Sequence, residues 1–494
     1  MLVNPILENR IGKYAPVKLG IIFFFFLIYA SISIVNHYLF RTAAYDLGIY
    51  NNAIYSYAHF SMNYTPIQHP EVHHILSDHF EPVLFLFSPL YWIFGTYTLL
   101  WVQILLIIAG GIGMMKFVRV YTQNEKLAVF ALAHFYTIWG IYSALAFDFH
   151  NNITAAMMVP WLMYYFHQRK WKGAILFFVL MLISKENMAL YASFVALGLA
   201  LFYWKEKVSR NMGLMLFGVG IMYFVVMVQW VIPSFVTGEQ KYIYTKMYAA
   251  LGNTKGEIIQ TLLTRPLYLM QLIFQNHLGD AQYDGIKAEL HYMILISGGI
   301  LMLYRPAFIV MLIPIYAQKL FISDYTRWGI NYHYSIEFVP IICTASFVAI
   351  AAIKKEKWQL VAAGIVVAAS LFANIQKMDR RVSLWYNREH IRFYQKGHYQ
   401  QSFDVKAMHH HIQTVIPAKA KVSASSPLCP HLAMRETIYQ YPYVNDADYI
   451  ALMPSCSGYP LRPEELAQHV LDLKSDTTKT VVFDDGELVV FKVK

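Results

Sequence analysis

Cysteine is nearly missing from this chain, with three in 494 residues, too few for the disulfide framework of a small secreted scaffold. Cys343 falls in an apolar run. Cys429 and Cys456 both lie in the C-terminal region and could pair in an oxidising compartment, although sequence does not fix the geometry a bridge needs. Charge is scarce too: Asp, Glu, Lys and Arg make up 14% of the residues against 57% apolar, which excludes a disordered chain. There is no P-loop, no dinucleotide-binding fingerprint and no structural-zinc spacing of Cys or His. The consecutive His409, His410 and His411 point in different directions on a helix and cannot all ligate one ion, so a solvated helix turn is the simpler reading. Internal repeats, low-complexity tracts and long linkers are absent as well. The net charge of +10 would suggest nucleic acid in a soluble protein. Here the basic residues sit mostly in short loops between apolar runs, where they set membrane orientation.

What is present is a series of apolar runs long enough to make this an integral, multi-pass membrane protein. The basic start (Arg10, Lys13, Lys18) precedes a run too long for a signal peptide, with no small-residue cleavage site after it, and is read as a retained first span. The run 82–94 would be about 20 Å as a helix, short of a hydrocarbon core of about 30 Å, and is expected to lie in the interface or re-enter. With that run set aside, spans at 19–40, 98–118, 127–147, 151–167, 172–184, 187–204, 211–235, 290–303, 306–321, 335–353 and 357–375 place the basic clusters on one side. These clusters are Lys116, Arg119 and Lys126; Arg169, Lys170 and Lys172; Lys205, Lys207 and Arg210; Arg305; and Lys354, Lys355 and Lys357. The expectation is an α-helical polytopic protein of about eleven spans, with the N-terminus cytoplasmic and the C-terminus outside. Residues 1–375 form the membrane region, with outer loops at 41–97 and 236–289.

The same assignment puts Asp46, His79, Glu81, Asp148, His150, Lys185, Glu186, Tyr332 and His333 outside, on one face. Charges near a membrane are costly and tend to face cavities or partners, so a concave outer site is the default hypothesis. Lys185 and Glu186 fall in an apolar stretch of about 50 Å as a helix, too long for one span, and read as the apex of a hairpin sunk below the outer surface. A lysine there suits a phosphate; the plainer alternative is that the two charges neutralise each other. In the 236–289 loop, the Tyr and Lys residues between Lys241 and Lys246 precede a helical pattern interrupted at Pro266, which predicts interfacial helices. Residues 376–494 are soluble in composition: a helix near 405–415, strands near 421–425, 436–441 and 447–452, and a closing hairpin with an Asp-Gly turn. They predict a small extracytoplasmic α/β domain.

Several segments, taken in order, resemble the motifs of a prokaryotic family of predicted membrane proteins of unknown function grouped with the GT-C glycosyltransferases. They are Tyr45-Asp46-Leu47-Gly48-Ile49-Tyr50, His79-Phe80-Glu81-Pro82, Asp148-Phe149-His150, Lys185-Glu186, Tyr332-His333 with Pro340, and Pro430-His431-Leu432 with Arg435, Tyr439, Pro442 and the run 447–449. The likeness runs from about residue 19 to the C-terminus and departs from the pattern at Asn52, Asn151 and Asn187, where Gln, Pro and an acid are expected. It implies a GT-C-like fold with interfacial helices in the first outer loop and a catalytic acid there, corresponding to Asp46. It also implies transfer of a sugar from a polyprenyl-phosphate donor, with inversion, to an acceptor outside the plasma membrane.

Such chemistry asks for a base and for groups that stabilise the departing phosphate. Asp46 is the candidate base, although it could hold a divalent metal, orient the acceptor or cap the following helix. Lys185, Arg41, Arg327 and His333 are the candidate phosphate ligands. His79, Glu81, Asp148, His150, Glu186 and Tyr332 are a supporting shell; for Asp148 and His150 a capping role, and for Tyr332 and His333 an interfacial anchor, are the plainer alternatives. The expected partners are the lipid-linked sugar, the bilayer and an envelope acceptor. A non-catalytic assembly or carbohydrate-binding protein on the same fold is the rival reading. A transporter is the weaker one, because no repeat is visible and the polar groups gather on one side.

Overall fold

The computed structural model describes residues 13–67, 73–236, 243–382, 387–456 and 458–494. Arg10 of the basic start, and Lys241 and Tyr242 of the aromatic loop, lie outside them. The protein is mostly helical. α1 (Ala15–Tyr38) leads into the first loop, which holds α2 (Ile49–Ala58), and α3 (Thr98–Thr122) follows. Then come α4 (Glu125–Thr137), α5 (Trp139–Leu145), α6 (Asn151–His167), α7 (Trp171–Leu182), α8 (Met188–Phe202) and α9 (Lys207–Val226). The second loop carries α10 (Lys255–Thr264) and α11 (Pro266–Phe274), and α12 (Ile286–Ile296), α13 (Ala307–Leu320), α14 (Phe338–Ala351) and α15 (Glu356–Asp379) complete the apolar part.

Among the described residues four stretches are long and apolar enough to cross a bilayer: Ala15–Tyr38, Leu84–Thr122, Lys207–Phe235 and Glu356–Met378. The α4–α5 pair, bent by 43°, is a fifth if counted as one. Length and composition thus give four or five spans where eleven were expected. α7, α8, α13 and α14 are apolar but shorter than a bilayer core. α14 shows why a short helix suffices: its residues are buried nearly all round, so protein, not lipid, covers its ends. The Lys207–Phe235 stretch is the opposite, with 17% of its apolar window buried and Leu214, Met215, Val219, Met222 and Val225 exposed.

Two expected spans are interrupted, each beside a glycine that permits close packing. The run 127–147 breaks at Ile138, which is extended (φ −72°, ψ 132°). Beyond the break Gly140 lies so close to the 335 loop that a Cβ would stand 2.4 Å from the Ser335 carbonyl oxygen. The run 290–303 breaks at Gly298, whose φ of +100° favours glycine and whose Cβ would meet Ser346 Oγ at 2.4 Å. By contrast, the break between α7 and α8 falls on the predicted hairpin apex, and α10 and α11 are separated at Pro266 as expected. These two helices expose Ile259, Leu263, Leu267, Met270 and Phe274, the face an interfacial helix presents to lipid.

The basic clusters meet at one end of the bundle. Lys126 pairs with Glu356 (3.1 Å) and Arg169 with Glu206 (2.6 Å), His167 bonds the Tyr203 hydroxyl at 2.7 Å, and Phe202 packs on both Tyr121 and Phe308. The exposed pairs stabilise little, but they fix which helix ends are neighbours. Near this end a buried Lys18–Glu125 pair ties α1 to α4.

The C-terminal region holds α16 (Val405–Thr414), α17 (Pro463–Ser475) and a five-stranded sheet. A two-stranded ribbon of β1 (Tyr64–Thr65) and β2 (His73–His74) lies in the first loop. The sheet comprises β3 (Val422–Ala424), β4 (Ile438–Gln440), β5 (Tyr449–Leu452), β6 (Lys479–Asp484) and β7 (Val489–Val493) in the order β4-β3-β5-β7-β6. β3 runs parallel to β4 and β5, and β7 antiparallel to β5 and β6. Gly486 at φ +87° makes the predicted turn. Cys429 and Cys456 are free thiols, and Cys429 Sγ faces the Ala424 carbonyl at 3.3 Å. The three histidines of α16 do diverge, but not all into solvent: His409 bonds the Tyr38 carbonyl at 2.9 Å, His410 is exposed and His411 faces Asp485.

Candidate functional site

The chain leaves α1 through a tight elbow before α2. Asp46 stands in it at φ 70°, ψ −96°, a conformation that costs a non-glycine residue about 1–3 kcal/mol and persists only where surroundings impose it. The surroundings are specific. The Ala43 N–H donates to Asp148 Oδ2 at 2.9 Å, the Ala44 N–H to Ser426 Oγ at 3.1 Å and the Gly48 N–H to the Ala43 carbonyl at 3.2 Å. Burial, and then the charge of neighbouring Asp46, push the Asp148 carboxyl well above its ordinary pKa against the backbone bonds it accepts. His150 donates from Nε2 to Asp46 Oδ1 at 2.8 Å; an ionised carboxylate can only accept, so the proton belongs on Nε2. The His150 ring stacks on His333 with centroids 3.4 Å apart. Burial, then His150, hold His333 well below the usual imidazole pKa.

Asp46 and His150 line a cavity of about 610 Å³, and helix ends build it. The N-terminal ends of α2, α6, α8 and α14 contribute Ile49, Asn152, Asn187 and Glu337, and the C-terminal end of α13 contributes Gln318 and Lys319. Helices that stop short beneath the surface thus leave a depression, and the N-termini of α6, α8 and α14 bring partial positive charge to it. One wall is apolar, made by Leu190, Phe224, Val228, Ile258, Ile259 and Ile315; Phe224 and Val228 belong to the poorly buried Lys207–Phe235 stretch.

The buried charges are mostly paired, as burial demands. Lys185 lies 3.3 Å from Glu81, which also accepts from the Tyr50 hydroxyl at 3.2 Å. Glu186 accepts from His79 Nδ1 at 2.8 Å and from the Phe80 N–H at 3.0 Å. Burial and Lys185 work against a proton on His79, but Glu186 and Asp78 prevail and its pKa is raised. Arg327 pairs with Asp324 at 3.3 Å and lies over the Tyr334 ring. Lys319, 3% exposed, has no hydrogen-bond partner in the protein.

The structure therefore brings Asp46, His79, Glu81, His150, Lys185, Glu186, Arg327 and His333 to one cavity. Asp148 and Tyr332 stand behind it, Asp148 under the elbow and Tyr332 against Phe147. Arg41 is elsewhere, and its expected role at the donor phosphate does not fit its placement. Its guanidinium donates to the carbonyls of Glu389, Gly397, His398 and Gln400 at 2.7–3.3 Å, clamping the segment that precedes α16. Sequence reasoning missed Asn152, Gln318, Lys319, Tyr334 and Glu337. The signal for Lys319 was a lysine closing an otherwise apolar helix at the end away from Arg305. Among the described residues no three His, Cys, Asp or Glu side chains gather as metal ligands.

Chemically, the site holds a carboxylate oriented by an imidazole, with Lys185, Arg327 and apolar side chains lining the same cavity. A family model described as "Predicted membrane protein (DUF2079)" matches residues 36–473. No curated protein matches the chain.

Proposed function

The chain belongs to that family of predicted membrane proteins, and from this premise we propose that it is a GT-C-like membrane glycosyltransferase. It moves a sugar from a polyprenyl-phosphate donor to an envelope acceptor outside the plasma membrane. The observation that carries the proposal is the single cavity in which a strained Asp46, held by His150, confronts cationic side chains beside an apolar wall. That combination suits an amphiphile with a phosphate. The lipid lies along Phe224 and Val228, and the phosphate meets Lys185 and Arg327. Asp46 takes the proton of the acceptor hydroxyl, whose oxygen attacks the anomeric carbon as the bond to the phosphate oxygen breaks. His150 holds the carboxylate in place, and the released phosphate keeps the bonding pair. One displacement inverts the anomeric centre.

In this reading α6, α7, α8, α12, α13 and α14 also lie within the bilayer, bringing the five to about eleven. The basic end is cytoplasmic, and residues 376–494 form an extracytoplasmic domain. A non-catalytic carbohydrate-binding protein would use the same cavity, but would not need backbone strain under one carboxylate.

The test is native mass spectrometry of the purified protein for a polyprenyl-phosphate sugar, followed by transfer assays. Asp46→Asn should keep the bound carrier and lose about 100-fold or more in turnover, while Lys185→Ala should lose the carrier. If no carrier binds, even from a panel of lipid-linked sugars, the proposal fails. Carrier binding with no transfer to any acceptor, and indifference to Asp46→Asn, would favour the binding protein.

A further inference from the structure

The inner floor of the cavity carries side chains that the chemistry above does not use. Asn152 donates to Glu337 Oε1 at 2.7 Å and Asn187 donates to Gln318 Oε1 at 3.1 Å. Each of these four side chains spends one polar atom on its partner and leaves another with none in the protein. The unspent atoms are Asn152 Oδ1, Asn187 Oδ1, Glu337 Oε2 and Gln318 Nε2, and Lys319 Nζ joins them. Buried polar atoms are nearly always bonded, and a cluster without partners calls for an explanation. All five residues line this one cavity.

The mixture decides the ligand. Two unspent donors, on Gln318 and Lys319, accompany three unspent acceptors. A phosphate offers only acceptors at neutral pH and leaves the asparagine and glutamate oxygens unmet. A cation leaves the lysine and the glutamine amide unmet, and a lipid tail satisfies none of them. A hydroxyl donates and accepts at once, so a molecule with several hydroxyls on one rigid ring satisfies both kinds. We propose that Asn152, Asn187, Gln318, Lys319 and Glu337 form a subsite for the hydroxyls of an uncharged pyranose. This rests on the lipid-linked-sugar reading and deepens it, since the sugar seats at the floor between α6, α8, α13 and α14, with its phosphate towards Lys185.

The experiment titrates the full-length protein in detergent, by native mass spectrometry, with farnesyl phosphate, farnesyl phosphoryl hexoses, their deoxy analogues and the corresponding methyl glycosides. One hexose should bind about tenfold tighter than bare farnesyl phosphate, the scale of one or two well-made hydrogen bonds, and its deoxy analogues should lose that gain. Gln318→Met and Asn187→Leu should each erase most of the gain and leave farnesyl phosphate binding unchanged, which also controls for folding. Should a variant fail that control, the deoxy series in the unaltered protein decides alone. The subsite is overturned if no hexose exceeds bare farnesyl phosphate, if the deoxy analogues keep the gain, or if the gain survives in both variants. Should farnesyl phosphate not bind while a methyl glycoside does, and is lost in the variants, the lipid-carrier reading falls and the subsite stands. If neither binds, both fall.

Discussion

At the scale of single residues, two side chains illustrate how neighbours in sequence and neighbours in space diverge. Arg41 is five positions from Asp46 yet spends its guanidinium on four backbone carbonyls of residues 389–400. Lys319 is 273 positions from Asp46 and lines the same cavity. The acid, His150 and the Lys185–Glu186 pair were legible because polar residues interrupting apolar runs have few innocuous explanations. Lys319 was not, because a lysine closing an apolar helix is ordinarily a snorkelling flank. Its burial without a hydrogen-bond partner carries a measurable consequence. Lys319→Met removes a buried ammonium that has the Tyr334 ring 5.9 Å away but no hydrogen-bond partner, in a side chain of similar length, so the melting temperature should rise, by an amount equivalent to about 1–3 kcal/mol. A melting temperature that falls would mean that the Tyr334 ring and Glu337 compensate the ammonium in the folded protein. Sugar affinity should fall in the same variant, the familiar exchange of function for stability at a site.

At the scale of elements, the site exists because helices end early. α6 begins where the sequence pattern placed it, and the α7–α8 hairpin breaks on its predicted apex, since Ser184 to Asn187 interrupts an otherwise unbroken apolar run. The breaks at Ile138 and Gly298 were not legible: each depends on how closely another segment passes, which composition does not record. Asn151, one of the departures from the family pattern, opens α6 and is buried with both amide atoms unpartnered. His150 before it is extended, at φ −146° and ψ 140°, as a residue preceding proline should be. Asn151→Pro should therefore fit the first helical position and stabilise by about 0.5–1 kcal/mol, seen as a higher melting temperature with the cavity unchanged. A loss of stability would show that the Asn151 amide works where the structure shows it idle.

The hairpin apex and the first loop are joined through His79 and Glu186, and this joint responds to pH. The folded pKa of His79 is raised above an unfolded value of about 6.5. Its contribution is thus complete below that value and fades as pH rises through the folded one. The difference in melting temperature between the unaltered protein and His79→Gln should be largest in mild acid and shrink above pH ~6.5. A difference that grows towards alkaline pH would reverse the sign and sink this account of the pair.

At the scale of the whole molecule, the membrane region and the C-terminal sheet share the elbow. Composition set the C-terminal region apart, and an Asp-Gly turn between two apolar runs placed its hairpin, but nothing in the sequence said that Ser426, just past β3, would accept the Ala44 N–H. Nor was it visible that Asn52 of α2 would donate to the Ala433 and Arg435 carbonyls at 3.1 and 2.8 Å. Asn52 is another departure from the family pattern, and its amide still reaches two acceptors. Ser426→Ala should leave a buried N–H unmet at a cost of about 1–3 kcal/mol. Under the proposed function, turnover should drop more than carrier binding, because the strained backbone under Asp46 relaxes. Equal losses in both would place the effect on the cavity as a whole.

The bond from Ala44 to Ser426 has a further consequence. Because one backbone N–H of the elbow reports to the sheet, the carboxylate's geometry and the seating of the sheet are a single equilibrium. Linkage then runs both ways: whatever shifts the seating of the sheet shifts the backbone at Asp46, and whatever fixes that backbone steadies the sheet. The C-terminal region is in this sense a hand on the instrument's tuning peg.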